Sequence, residues 1–208
     1  MHIDAEAFAR EGCAGPFRAI HGSEMAEYRD SIRRLVLTKD GPDSRSRAQS
    51  RHLDSRQVLD LCLAPSVVNC VKQVLQEDAV LWRSNFFPKP PGGALFDWHR
   101  DRDMWGDLLK PMINVTAWIA IDPATIENGC VEVIRRCDES EEREDVARAM
   151  ELEPGQFFLF DDSVLHRSGP NRTERDRLGL AARFTLPHVA IDVNRLFPSY
   201  RSISVAKA

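Results

Sequence analysis

Residues 112–121 alternate between apolar and more polar side chains, which predicts a β-strand with two unlike faces. Every odd position in this segment is apolar, whereas the even positions include Asn114, Thr116 and Trp118. Because successive side chains of a strand point to opposite faces, one face is expected to lie in a core. The other face is expected to border a partly polar space.

Further strand signals follow at short spacing along the second half of the chain. They cover residues 80–87, 95–101, 131–134, 156–161 and 177–186. Asn128-Gly129 predicts a tight turn that leads into the strand at 131–134. The last of these segments has apolar residues at its even positions, with Arg177, Arg183 and Thr185 on the opposite face.

Helical signals precede these strands. They cover residues 4–11, residues 23–36 with Ser23 as N-cap, residues 54–63, and a segment that follows Pro65. The polar stretch 39–52, which contains Gly and Pro, is predicted to be a mobile loop. The charged, helix-prone segment 138–150 is predicted to be a solvated insert, and a lid role for it is less favoured.

Helices followed by seven or eight mostly antiparallel strands predict an α+β chain that is mainly β. The expected core is a double-stranded β-helix (jelly-roll or cupin-like), with the N-terminal helices packed on one sheet. At 208 residues, a single domain is expected over residues 1–208. Its expected parts are a mainly helical segment (1–78), the jelly-roll core (79–188) and a C-terminal segment (189–208).

Composition narrows the class of protein. A formal net charge of -4 argues against general nucleic-acid binding. No apolar run reaches the ~18 residues of a membrane helix, and no signal-peptide pattern opens the chain, so a cytoplasmic protein is expected. The five cysteines form no C-x-x-C pair, which fits reduced thiols and makes a thiolate zinc site an unfavoured interpretation.

A metal site is the main functional prediction. His99 and Asp101 fall two residues apart in the predicted strand at 95–101, so they point to one face and can share a metal ion. His166 follows the predicted strand at 156–161 and can complete a triad of two histidines and one carboxylate. Such a triad leaves open positions on an octahedral iron. Taken singly, each of these residues is more often structural or solvated.

Residues after His166 extend the prediction to a cosubstrate. A turn at Gly169-Pro170 precedes Arg177, and an antiparallel return brings this arginine back toward the metal. Its guanidinium offers a planar, permanently charged fork for a carboxylate, and Ser168 can donate a hydroxyl to the same group. Two alternatives stay open: a zinc-dependent enzyme or module of cupin type, and a jelly-roll protein that binds a ligand without turnover.

The stretch 81–186 resembles the phytanoyl-CoA dioxygenase family of iron(II)/2-oxoglutarate oxygenases. The matching segments are Phe-Pro-Lys-Pro-Pro-Gly at 87–92, Trp-His-Arg-Asp at 98–101, Ala-Trp-Ile-Ala at 117–120, Glu-Asn-Gly-Cys-Val-Glu-Val-Ile at 127–134 and His-Arg-Ser-Gly-Pro-Asn at 166–171. Arg177 follows these, and residues 8–12 resemble the opening helix of the family. Residues 135–138, Arg-Arg-Cys-Asp, depart from the Pro-Gly-Ser-His that the family usually has there.

The resemblance implies roles for individual residues. It implies that His99, Asp101 and His166 bind Fe(II). It also implies that Arg177 and Ser168 hold the distal carboxylate of 2-oxoglutarate.

Further residues are weaker candidates for the same pocket. Lys89 and Trp118 match positions that often line the cosubstrate pocket of the family, although a loop lysine and a core aromatic remain the alternatives. Strand parity adds Asn85 and Asn114. Arg183 shares a face with Arg177 and could hold the cosubstrate instead, or meet an anionic substrate.

The activity implied by the resemblance is that of an oxidoreductase that uses Fe(II), 2-oxoglutarate and O2. It would hydroxylate an unactivated C–H bond of a small metabolite or biosynthetic intermediate, with release of succinate and CO2. Desaturation, epoxidation and cyclisation stay open, because they share the iron site. Asp101 favours hydroxylation over halogenation, since related halogenases carry Ala or Gly at the carboxylate position.

Overall fold

The computed structural model describes residues 2–43, 46–139, 143–196 and 200–205. The helices in these ranges are α1 (Ala5–Glu11), α2 (Gly22–Ser31), α3 (Arg56–Cys62), α4 (Pro65–Leu75), α5 (Asp101–Trp105) and α6 (Arg143–Val146). The strands are β1 (Cys13–Arg18), β2 (Ala79–Lys89), β3 (Phe96–His99), β4 (Leu109–Lys110), β5 (Val115–Ala120), β6 (Val131–Ile134), β7 (Arg148–Met150), β8 (Gln156–Asp161), β9 (Leu165–Ser168), β10 (Arg177–Thr185), β11 (Ala190–Ile191) and β12 (Ile203–Val205).

Two antiparallel sheets make up the centre of the fold. The larger sheet has the order β1-β8-β5-β10-β2-β12, and the smaller one has the order β3-β9-β6-β7. Strands β4 and β11 pair separately as a two-stranded ribbon. Neighbours that are distant in sequence, such as β3 and β9, are brought side by side. The predicted double-stranded β-helix with mostly antiparallel strands is confirmed.

The space between the two sheets is filled by apolar side chains along part of its length. Trp118 on β5, Phe158 on β8 and Ala181 on β10 belong to one buried cluster with Val131 and Val133 of β6. These residues come from alternate positions of their strands, as expected when one face of each strand turns toward the facing sheet.

The N-terminal helices cover the other face of the larger sheet. Met25 of α2, Val58 of α3 and Val71 of α4 are fully buried in a single cluster with Leu180 and Phe184 of β10. Each such side chain contributes about 1.5–3 kcal/mol by leaving water. The even positions of β10 therefore face the helices, and its odd positions, which carry the arginines, face the smaller sheet. The expected packing of the helices on one sheet is confirmed.

The N-cap residue predicted for the second helix is wrong. Ser23 does not cap it; α2 begins at Gly22 with His21 in the N-cap position and no side-chain capping bond. The helix then continues as a π-helical turn over Ile32–Val36. By contrast, Asp4 caps α1 by accepting hydrogen bonds from the first-turn amides, and Gly12 ends that helix in a left-handed conformation.

The predicted strand at 95–101 is too long at both ends. Strand β3 stops at His99, and Asp101 is the first residue of α5. An acidic residue suits this position, because the first turn of a helix exposes unpaired amides that favour negative charge. Short strands at sheet edges or beside Gly and Pro, including β1, β7 and β12, gave no strand signal in the sequence.

The polar segment 39–52, expected to be a mobile loop, is anchored where the structure describes it. Arg51 is buried and donates hydrogen bonds to the carbonyls of Val36, Lys39 and Arg47. Residues 44 and 45 lie outside the described residues. The insert at 138–150 is described except for residues 140–142, and its end forms β7, which pairs with β6.

Among the described residues, no single helix is long and apolar enough to cross a membrane. Helices α3 and α4, bent by 47° at their junction, satisfy the length and composition test only as a pair.

Candidate metal centre and cavity

Three potential metal ligands meet at one end of the facing sheets. His99 ends β3 and lies directly opposite His166 of β9 in the strand register, and the two rings have centroids 4.1 Å apart. Asp101 follows at the start of α5, with its Oδ1 3.9 Å from Nε2 of His166. One ligand atom from each of the three residues lies within 4.8 Å of the others. The structure thus brings together the three residues that the sequence singled out.

Both histidines are oriented by backbone carbonyls. Nδ1 of His99 lies 2.8 Å from the carbonyl oxygen of Asp97, and Nδ1 of His166 lies 3.0 Å from that of Val164. A proton on each Nδ1 satisfies these contacts and leaves Nε2 as the free ligand atom. Burial lowers the pKa of His166 to about 4, so this ring stays neutral at physiological pH.

Asp101 is buried, at 4% exposure, beside two polar groups of the larger sheet. Its Oδ2 lies 3.4 Å from the hydroxyl of Thr116 on β5 and 3.5 Å from Nε of Arg183 on β10. The prediction that His99 and Asp101 lie on the same strand is therefore wrong. They share a site although only His99 lies on the strand, because Arg100 between them keeps an extended backbone before the helix begins.

A cavity of about 380 Å³ opens in front of these three residues. Its polar lining includes His99, Asp101, His166, Lys89, Arg167, Ser168, Arg177 and Arg183. Its apolar lining includes Phe87, Leu95, Phe96, Trp118, Val131, Phe160 and Ala181. This volume is in the range of small-molecule sites.

Arg177, the first residue of β10, lines the cavity at a distance from the three ligands. It is 2% exposed, and its Nη2 donates a 2.7 Å hydrogen bond to the carbonyl of Gly129. Its guanidinium carbon lies 5.3 Å from the centre of the Trp118 ring, and within the described residues its Nε has no hydrogen-bond partner. Burial lowers the pKa of Arg177 to about 10, so the side chain keeps its charge at neutral pH.

Lys89 and Ser168 lie together on the cavity wall beside Arg177. The lysine Nζ donates to the Ser168 hydroxyl at 2.8 Å and to the Ser168 carbonyl at 3.1 Å, and it also donates to the carbonyl of Gly169. Burial, and secondarily Arg177, lower the pKa of Lys89 to about 8. This end of the cavity therefore concentrates positive charge and a hydroxyl, as a carboxylate site requires.

The asparagines predicted from strand parity do not line the cavity. Asn85 lies on the expected face, but its amide oxygen accepts hydrogen bonds from Arg83 and Arg183. Asn114 accepts one from the Trp82 indole and donates to Thr116. Strand parity identified the correct face of the sheet. It did not reveal that neighbouring side chains form hydrogen bonds with both amide groups. Trp118, in contrast, lines the cavity as predicted.

Several lining residues gave no functional signal in the sequence. The Phe160 ring packs against His166 at 4.7 Å between centroids. Alternation along β8 would have placed it on the same face as Phe158. Arg167 donates to Glu132 and stacks on the Trp98 ring, which ties β9 to β6 and to the segment before the metal ligands.

The segment at 135–138 that departs from the family pattern turns away from the cavity. Arg135 pairs with Asp138, and Arg136 donates to Asp161 and to the carbonyl of Ala9. None of these groups is among the cavity-lining residues. The departure thus changes how the end of β6 joins helix α1.

A model of the phytanoyl-CoA dioxygenase (PhyH) family matches residues 8–179. The chain belongs to this family. Among curated PhyH-like relatives, dioxygenase lolE1 of Epichloe uncinata is 24% identical over 159 residues, covering 69% of this chain and 60% of that protein. The 2-aminoethylphosphonate dioxygenase of an uncultured bacterium is 26% identical over 125 residues, with 53% and 47% covered. The chain thus spans about half the length of the curated relatives it matches.

Solved structures share the PhyH fold across nearly the whole chain. CytC3 with Fe(II) and alpha-ketoglutarate is 26% identical, has a TM-score of 0.76, and is matched over 94% of this chain and 79% of that one. The nickel complex of the non-heme monooxygenase ThoJ is 26% identical with a TM-score of 0.79, covering 90% and 78%. The carbocyclase SnoK, from nogalamycin biosynthesis, is 14% identical with a TM-score of 0.78, covering 97% and 95%, and shows the fold alone.

The donor set fits iron. Two imidazoles and one carboxylate on one side of a cavity are the ligands of the facial triad of non-heme Fe(II), which leaves positions open for other ligands. The carbonyls of Asp97 and Val164 supply the second contacts that fix each imidazole. The buried cations of Arg177 and Lys89 stand in the same cavity, where they can bind a dicarboxylate.

Proposed function

We propose that this chain is an Fe(II)/2-oxoglutarate-dependent dioxygenase that hydroxylates a C–H bond of a small molecule. Substrate, 2-oxoglutarate and O2 would give the hydroxylated product, succinate and CO2. The observation that carries the proposal is the joint placement of the His99, Asp101 and His166 ligand atoms in one cavity with Arg177. Membership of the PhyH family supports it.

Each residue has a role in this proposal. His99, Asp101 and His166 would hold Fe(II), and the bound iron with 2-oxoglutarate would supply dioxygen activation. Arg177 would bind the distal carboxylate of 2-oxoglutarate through a charge-assisted hydrogen bond. Ser168 would add a hydroxyl to the same carboxylate.

Two of the three weaker candidates would shape the cosubstrate end, and the third lies beside Arg183 at the metal end. Lys89 would add positive charge beside Arg177 and hold the Ser168 hydroxyl in place. Trp118 would stack on the Arg177 guanidinium and exclude water from that end of the cavity. Asn85 would act only through Arg183, whose Nη1 it contacts at 3.3 Å.

Hydroxylation is favoured over halogenation by Asp101, because a halogenase needs a vacant position where this carboxylate stands. Desaturation, epoxidation and cyclisation use the same ligands, and the fold is shared with a carbocyclase. Mass spectrometry of the product separates hydroxylation and epoxidation, which add one oxygen from O2, from desaturation and cyclisation, which remove two hydrogens. NMR spectroscopy of the product then separates the two members of each pair.

An anaerobic titration tests the proposal. Fe(II) followed by 2-oxoglutarate should produce a visible charge-transfer band from the bound chelate, and His166→Ala should abolish it. His188→Ala, at an exposed histidine, is the matched control and should keep the band. A wild-type protein that retains zinc and gives no band would instead support a zinc-binding or purely ligand-binding jelly roll.

A further inference from the structure

A second buried arginine lines the cavity at the metal end. Arg183 and Arg177 lie on β10 at odd positions, so both side chains leave the same face of the sheet. Their Cα atoms are about 20 Å apart, as expected for six residues of an extended strand. Nε of Arg183 is 3.5 Å from Oδ2 of Asp101, whereas Arg177 contacts the Gly129 carbonyl and the Trp118 ring. The two side chains therefore start from opposite ends of the cavity.

Arg183 retains unused hydrogen-bond donors although it is buried. A guanidinium has five N–H groups. Nη1 donates to the amide oxygen of Asn85 at 3.3 Å, and Nε faces the Asp101 carboxylate at 3.5 Å without a hydrogen bond. Within the described residues, Nη2 donates to no acceptor. The side chain is only 8% exposed. Because buried donors without partners are costly, these groups are suited to a ligand that enters the cavity.

The charges of the cavity also leave room for an anion. Apart from its histidines, the charged lining residues are Lys89, Arg167, Arg177, Arg183 and Asp101. Arg167 is paired with Glu132 at 2.7 Å. A divalent metal and a 2-oxoglutarate dianion together add no net charge. Excess positive charge therefore remains after the cosubstrate binds, and Arg183 is the cation nearest to a metal ligand.

Above Arg183, the cavity mouth is apolar. Phe87, Leu95 and Phe96 line the cavity and are between 38% and 50% exposed. The guanidinium carbon of Arg183 lies 5.8 Å from the centre of the Phe87 ring. A ligand that satisfies both features has an anionic end inside and an apolar part toward the mouth.

We propose that Arg183 binds the anionic group of the substrate, and that the substrate is a small carboxylic or phosphonic acid with an apolar portion. This inference rests on the proposed dioxygenase function. It assigns Arg183 to the substrate and Arg177 to 2-oxoglutarate. The apolar portion lies against Phe87, Leu95 and Phe96.

Binding titrations on the anaerobic Fe(II)–2-oxoglutarate complex test the assignment. Hexanoate, hexylphosphonate and the neutral hexanamide serve as probes, and each is followed through its perturbation of the charge-transfer band and by calorimetry. At least one acid should bind wild-type protein about 10-fold or more tightly than hexanamide, as expected for a charge-assisted hydrogen bond. The stronger of the two acids identifies the class of anion.

Two variants test whether Arg183 is responsible for the preference for acids. Arg183→Gln should remove the preference for acid over amide, and Arg183→Lys, which keeps the charge with fewer donors, should retain part of it. Both should bind Fe(II) and 2-oxoglutarate as the wild type does. If Arg183→Gln does not fold, the acid–amide comparison in wild type and in Arg183→Lys carries the test.

Three outcomes overturn the inference. One is equal affinity of wild-type protein for acids and amide. Another is an Arg183→Gln variant that binds 2-oxoglutarate weakly, which makes Arg183 part of the cosubstrate site. The third is an Arg183→Gln variant that no longer binds Fe(II), which would mean that Arg183 only positions the metal ligand Asp101. A wild-type protein without any charge-transfer band refutes the dioxygenase proposal itself.

Discussion

Arg177 carries a charge that is almost fully removed from water, with only one hydrogen bond to a carbonyl among the described residues. A buried guanidinium of this kind is stabilised when a carboxylate binds it. We expect Arg177→Gln to weaken 2-oxoglutarate binding about 10- to 100-fold, the range of a lost hydrogen bond to a charged group. The measurement is the half-saturation of the anaerobic chelate band.

The control for this change is Arg172→Gln, at an exposed arginine in the turn before β10. It should leave the affinity unchanged. Unaltered 2-oxoglutarate affinity in Arg177→Gln would mean that another cation of the cavity, Lys89 or Arg183, holds the distal carboxylate.

At the scale of elements, β10 has a glycine where Trp118 needs space. A Cβ added to Gly179 would lie 2.2 Å from Cζ2 of the Trp118 ring. Gly179→Ala should therefore displace the ring, cost about 1–3 kcal/mol of stability, and weaken 2-oxoglutarate binding, because this ring lies over Arg177. Chemical denaturation and the chelate titration measure the two effects.

Gly169→Ala is the matched control. The nearest atom to its added Cβ is Glu132 Oε1 at 3.5 Å, an ordinary contact, and the carbonyl that accepts from Lys89 is retained. If both variants were equally stable and bound 2-oxoglutarate equally well, close packing of Trp118 on β10 would not matter.

Strand and helix assignments from the sequence succeeded where a pattern was local, although the long strand predicted at 112–121 covers only 115–120 as β5. The segment at 156–161 matches β8 at both ends, and the helix after Pro65 is present as α4. The metal ligands could also be anticipated, because a His-x-Asp pair and a later histidine need only one strand pairing to meet. The resemblance to the PhyH family made this combination a specific prediction of a metal site.

Other features depend on contacts that a sequence does not display. The end of β3 at His99 reflects the start of a helix at Asp101, which the alternation of residues did not reveal. Asn85 lies on the predicted face of the sheet, but its amide oxygen accepts hydrogen bonds from neighbouring arginines. The cavity mouth could not be predicted, since it brings Phe87 of β2 together with Leu95 and with Phe96 of β3.

At the scale of the whole molecule, His52 makes the folded state sensitive to acid. It is 2% exposed, its Nδ1 lies 2.7 Å from the Ser84 hydroxyl, and burial lowers its pKa from 6.5 to about 4. Below pH 6.5 the unfolded chain takes up a proton that the folded chain excludes until about pH 4. The free energy of unfolding therefore falls as the pH drops through this window.

Replacing this histidine should reduce the acid sensitivity. Between pH 7 and pH 5, His52→Gln should lose about 2 kcal/mol less of its unfolding free energy than the wild type, as measured by urea denaturation at both pH values. His21→Gln, at an exposed histidine, should behave as the wild type does. Equal losses in all three proteins would show that protonation of His52 does not limit stability.

The metal ligands come from three separate elements, β3, α5 and β9, and Asp101 and His166 are 65 positions apart in the sequence. An unfolded chain does not hold them together, so the free energy of metal binding adds to the free energy of folding. At a free Fe(II) concentration 100 times the dissociation constant, the gain is about 2.7 kcal/mol, or roughly 5 to 10 °C in Tm for a chain of this length. Anaerobic thermal denaturation should show this rise in the wild type and in His188→Ala, but not in His99→Ala or His166→Ala. An equal rise in the two triad variants would place the metal elsewhere.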